Sequence, residues 1–107
     1  MTQKDDQRRA ERVDASGAFL AIGGERLALA DLSTMGARTI APLAGAADGD
    51  SLIATLILPG RTKTAASSEH VVPALVVANG ARGLIVRYTA IDPKAAKAIG
   101  RFLARKP

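Results

Sequence analysis

The chain has 107 residues, no cysteine and a formal net charge of +5. That length makes one domain with a modest core, and the lack of cysteine excludes both a disulfide framework and a thiolate metal centre. Hydrophobic residues reach 48% but aromatics only 3%, so the core must be aliphatic, and a nucleic-acid surface built on stacked aromatics is disfavoured.

Charge is unevenly placed. Residues 1–26 balance, residues 27–59 carry −2 and residues 60–107 carry +7. Such an excess invites an anionic partner. The apolar run VVPALVVA (71–78) is far short of the roughly 20 residues that a spanning helix needs, and MTQKDDQ at the start has no apolar signal core. A cytoplasmic protein without a membrane span is the expectation.

In chain order, residues 1–17 are polar and end in DASG. They are expected as a flexible arm, with the domain proper at 18–107. AFLAI (18–22) and ERLALADL (25–32) flank Gly23-Gly24, which predicts a tight hairpin, because primed turns need positive φ. Leu27 and Leu29 share a parity with Asp31 and Ser33. If the strand runs on, those polar groups emerge on the face the leucines use. ARTIAPL (37–43) is a short strand candidate, and AADGD (46–50) is a turn. SLIATLIL (51–58) is a strand stopped by Pro59-Gly60, and RTKTAASSEH (61–70) a loop or ragged edge. VVPALVVA (71–78) and GLIVRY (83–88) flank the turn NGAR; Pro73 places the start of the former at an edge or bulge.

The period then changes. Asp92 is a good N-cap and Pro93 a good first helical residue. Ala95, Ala96, Ile99, Phe102 and Leu103 line one side of a helix, Lys94, Lys97, Arg101 and Arg105 another. About six short antiparallel strands joined by turns would close into a small barrel, with one C-terminal helix. The class is mainly β.

Two short motifs carry chemistry. RRAER (8–12) holds Arg8 and Arg12 four apart, with Arg9 beside the first. DLSTMG (31–36) holds Asp31, Ser33 and Gly36, and 18 residues separate Arg12 from Asp31. In this order they resemble the PilZ domain family, known by an RxxxR motif on an N-terminal loop and a [D/N]xSxxG motif on a following strand. The downstream pattern agrees: LILPG ending a strand, a strand pair around NGARG, and VRYTAIDP leading to a terminal helix. The resemblance covers about residues 8–104.

The resemblance implies a six-stranded antiparallel β-barrel of split-barrel type with a C-terminal helix, binding the bacterial second messenger cyclic di-GMP. That ligand is a dianion with two flat guanines. Arginine is a rigid planar fork that can bond guanine O6 and N7, pair with phosphate or stack on a purine face. In this reading Arg8 and Arg12 grip the ligand from two sides, and Arg9 adds a phosphate contact or stacking. Asp31 accepts from a guanine N–H edge, Ser33 supplies a hydroxyl donor, and Gly36 permits a turn or close backbone approach.

Each residue also has a plainer role. Arginines in a polar arm can simply be solvated, and Asp31 and Ser33 can cap a turn, since both bond local backbone readily. Arg38 and Arg87 are expected at exposed barrel positions, and His70 has no assigned role. The leading expectation is a receptor or adaptor whose arm is clamped onto the barrel by ligand, changing a surface for a downstream protein. The alternative is a PilZ-like protein-interaction module that binds no nucleotide. No catalytic or metal-ligand arrangement is visible, so neither an enzyme nor a cofactor is expected, and direct binding of nucleic acid is not expected either.

Overall fold

The computed structural model describes residues 13–15, 17–60 and 66–104. Seven strands and one helix follow in order: β1 (Val13–Asp14), β2 (Phe19–Ile22), β3 (Glu25–Leu32), β4 (Gly36–Thr39), β5 (Ser51–Leu58), β6 (Ser68–Gly80), β7 (Gly83–Tyr88) and α1 (Pro93–Ala104). Six of the strands close into an antiparallel barrel, running β3-β2-β5-β6-β7-β4 and back to β3. The fold is mainly β, as the sequence implies. The additional strand is the two-residue β1, at the end of the segment expected as an arm. It pairs with β3 through Val13–Leu32 and Asp14–Asp31.

The β2–β3 hairpin forms at Gly23-Gly24, where Ile22 pairs with Glu25 and both glycines take positive φ. This matches the right-handed twist of the flanking strands. Beyond Ala28, the same edge of β3 passes from β2 to β1. The Leu29 N–H donates to the Ala18 carbonyl, and the Ala15 N–H to that of Ala30. β1 and β2 therefore line one side of β3 in succession, while β4 lines the other.

The interior is aliphatic. Leu20, Leu32, Leu56, Val72, Val76, Leu84 and Val86 fill it, and α1 contributes Ala95, Ile99 and Phe102 to the same cluster. The Asp92 carboxylate accepts from the Ala95 N–H at 2.8 Å, so the N-cap expected from sequence is in place.

Three expectations need correction. ARTIAPL does not run as a strand to residue 43. β4 stops at Thr39, whose hydroxyl donates to the Ala41 carbonyl and accepts from the Leu84 N–H, turning the chain. β6 starts early, at Ser68, because Ser68 and Glu69 complete the pairing with Leu58 and Ile57. Pro73 lies mid-strand; the bulge comes later, between Val76 and Ala78. Proline is tolerated there because its side of β6 faces the end of β7. The Pro73 carbonyl takes the Thr89 N–H just past that strand, and the donor that proline lacks is missed only at the sheet margin.

Candidate ligand-binding site

The DLSTMG segment is the β3–β4 hairpin. The Ser33 N–H donates to the Gly36 carbonyl at 2.9 Å, leaving Thr34 and Met35 at the exposed tip. The Ser33 hydroxyl accepts from the Met35 and Gly36 N–H groups at 3.0 and 3.2 Å, and lies 3.3 Å from the Gly36 carbonyl as donor. The side chain is 2% exposed, so its hydrogen-bonding capacity is used in holding the turn. Gly36 is buried against β7. A Cβ built there would run into the Val86 carbonyl oxygen, so the residue allows β4 to pack on the backbone of β7.

Asp31 does not follow the leucines. Leu29 pairs with Thr39 and Asp31 with Arg38, so Ala30 is an extra residue on β3 with no counterpart on β4. A bulge of one residue reverses the facing of everything beyond it. Leu32 turns into the core with Ala37, both fully buried, and Asp31 is turned to the outer face with Arg38. The shared-parity expectation for Asp31 fails for that reason. Ser33, next after Leu32, is buried in the turn rather than along a continuing strand.

On that outer face Arg38 Nε donates to Asp31 Oδ2 at 3.1 Å. The guanidinium is held at its far side by Nη1 donating to the Arg82 carbonyl at 3.1 Å. The Arg38 and Asp31 side chains keep 36% and 17% of their exposure, so this is a partly solvated pair on a fixed scaffold. Arg38 is expected from sequence only as an exposed barrel residue; its pairing with Asp31 is missed. The signal was present. Once Ser33 and Gly36 are taken as the closing pair of a two-residue turn, counting outward sets Asp31 opposite Arg38.

Further along the outer face of β2 and β3, the Arg26 guanidinium lies 4.6 Å from the centre of the Phe19 ring, a cation–π pair. Arg87 is exposed on β7, opposite Gly36. The His70 Nε2 lies 3.0 Å from the Ser68 hydroxyl. Among the described residues no group of three or more His, Cys, Asp or Glu side chains is placed to hold a metal. No helix among them is long and apolar enough to cross a membrane.

Arg8, Arg9 and Arg12 lie outside the described residues. What the structure does place is the chain directly after them. Val13 is the β-partner of Leu32 and Asp14 of Asp31. The backbone that follows RRAER is thus bonded to the DLS end of β3.

No family model and no curated protein matches the sequence. Solved structures do match in fold. Bacillus subtilis inhibitor of motility (MotI/DgrA) superposes with a TM-score of 0.71 at 19% identity, covering 92% of this chain and 50% of that one. The chain thus spans about half of the MotI/DgrA structure. The PilZ domain of CeSA from a cellulose-synthesizing bacterium superposes with a TM-score of 0.63 at 17% identity, covering 89% of this chain and 97% of that one. The barrel therefore has the fold of a PilZ domain, as the paired motifs imply.

Proposed function

We propose that this chain is a cyclic di-GMP receptor module of a bacterial cytoplasm, acting as an adaptor rather than an enzyme. The observation that carries the reading is the pairing of Val13–Asp14 with Asp31–Leu32. It brings the polypeptide up to the second motif one residue after Arg12. In this reading the guanidinium groups of Arg8, Arg9 and Arg12 act together with the outward Asp31 carboxylate on one ligand.

The division of labour follows from the chemistry. Arg8 and Arg12 bond the guanine O6 and N7 edges or the phosphates, and Arg9 adds a third cation for a dianion. Asp31, outward and partly exposed, accepts from a guanine N–H edge. Ser33 and Gly36 act mainly through the turn: they fix where β3 ends, and with it where Asp31 sits. For Ser33 to donate directly to the ligand, it would first have to give up its bonds within the turn. Ligand contacts on both sides of the β1 junction draw the arm against the barrel, and the changed surface is read by a protein partner. No further cofactor is required.

Calorimetric titration of cyclic di-GMP into the purified chain, beside Arg8→Ala/Arg12→Ala, tests this. Saturable heat that vanishes in the folded variant is expected. A well-folded parent that gives no heat would overturn the receptor reading and leave a PilZ-like protein-interaction module.

A further inference from the structure

The outer face of the barrel carries a second feature, away from the DLSTMG hairpin. On β5 and β6, Ile53, Val71 and Val77 are 65%, 62% and 49% exposed. Register joins Ile53 and Val71 into one patch, and Val77 lies at the β6 bulge beyond Leu75. Ile53 is the direct partner of Pro73, and Thr55 of Val71. Leu75 continues the row along β6, and Ile85 joins it from β7 opposite Ala78. Contiguous exposed apolar surface of this kind marks an interaction site more often than it marks chance. The helix does not cover it, because Ala95, Ile99 and Phe102 are committed to the interior cluster.

The charges bordering the patch indicate what covers it. Glu69 stands at one end of the row on β6. Arg87 stands beside Leu75, six residues further along. That separation is about 20 Å at the usual rise of a strand. Both are exposed, and neither forms an ion pair among the described residues. Consider two copies laid face to face about a two-fold axis perpendicular to the strands. With the axis level with Val72, midway between Glu69 and Leu75, Pro73 meets the partner's Val71 and Ile53 the partner's Thr55. Glu69 of each copy falls beside the partner's Arg87, so the match is made twice. The chain carries +5 overall, so two copies repel unless opposite charges meet at the contact. The polar residues 1–12 offer almost nothing apolar to fill such a face; a second copy offers the same apolar row.

We infer that this chain self-associates as a two-fold dimer through the outer face of β5, β6 and β7, centred between Val71 and Pro73 and flanked by reciprocal Glu69–Arg87 pairs. The footprint of three short strands is at the small end of specific interfaces, which bury about 800 Å² per partner, so the dimer is reversible and depends on concentration. It owes nothing to the ligand reading and is tested without ligand.

Sedimentation velocity on the full chain from about 10 µM to about 1 mM spans the range in which such a dimer forms. The parent moves from monomer towards dimer. Ile53→Asp remains monomeric, and Val71→Asp repeats the test at a second exposed position. Glu69→Arg and Arg87→Glu each weaken association by about tenfold or more, because each sets like charges opposite one another. The combined Glu69→Arg/Arg87→Glu variant recovers association to within about threefold of the parent. Circular dichroism and melting confirm that each variant is folded. Three results overturn the proposal: a parent monomeric throughout, association that survives both aspartate substitutions, or a combined reversal as weak as the single ones.

Discussion

The two halves of the DLSTMG segment, six residues long, serve different ends. Ser33 and Gly36 face into the molecule, 2% exposed in one case and pressed against the β7 backbone in the other. Their chemistry is absorbed by the turn. Asp31 and, across the hairpin, Arg38 face outward and hold a partly solvated ion pair. A motif read as one binding unit therefore divides into a part that builds and a part that presents. The division is made by the extra residue at Ala30, which sends Leu32 inward and Asp31 outward.

Because of that division, variants of the two halves fail in different assays. The largest stability loss belongs to Gly36→Ala. Its methyl group must displace the Val86 carbonyl, which costs about 3 kcal/mol, read as a lowered midpoint in urea unfolding. A Gly36→Ala protein as stable as the parent would show that β4 can move off β7. Next comes the arm. Arg8→Ala/Arg12→Ala is expected to weaken cyclic di-GMP binding by at least about a hundredfold, since several charge-assisted hydrogen bonds are lost, with the unfolding midpoint unchanged. Asp31→Ala belongs with it: affinity falls by about tenfold or more while stability falls by less than about 1 kcal/mol. Equal losses of binding and stability at Asp31 would erase the distinction between the two halves.

Ser33→Ala comes third, costing about 1–2 kcal/mol because two turn N–H groups lose their acceptor. Any loss of ligand affinity should be smaller than that of Asp31→Ala. The smallest effect is at Arg38. Replacing it with glutamine removes an ion pair that still meets solvent, and the stability change stays within about 1 kcal/mol, measurable by the same unfolding curves. A larger loss would mean that the bond to the Arg82 carbonyl fastens β4 to the β6–β7 turn more firmly than its exposure implies.

Much of this was legible in the chain. Glycine pairs, prolines and the alternation of leucine and valine marked β3, β5 and β7 at their observed limits, because those signals are local. The Asp92-Pro93 start of α1 was legible for the same reason: a cap needs only its own first turn. The limits of β6 were not. Ser68 and Glu69 are polar and join the sheet only because β5 is there to pair with them. Thr39 ends β4 through a bond to Leu84, 45 positions away.

For the site, the sequence by itself determined which residues could take part: two arginines four apart, a third beside them, and an Asp-x-Ser-x-x-Gly turn. It determined too that a chain with few aromatics must build an aliphatic core. Only the tertiary structure decided which way each group faces. Parity along an isolated strand predicts one face for Leu27, Leu29 and Asp31. The unmatched Ala30 breaks that parity, and a bulge is a property of two strands in register rather than of either alone. Strand register likewise joins Ile53 and Val71, scattered in sequence, into one exposed face, and places the junction that follows Arg12 beside Leu32.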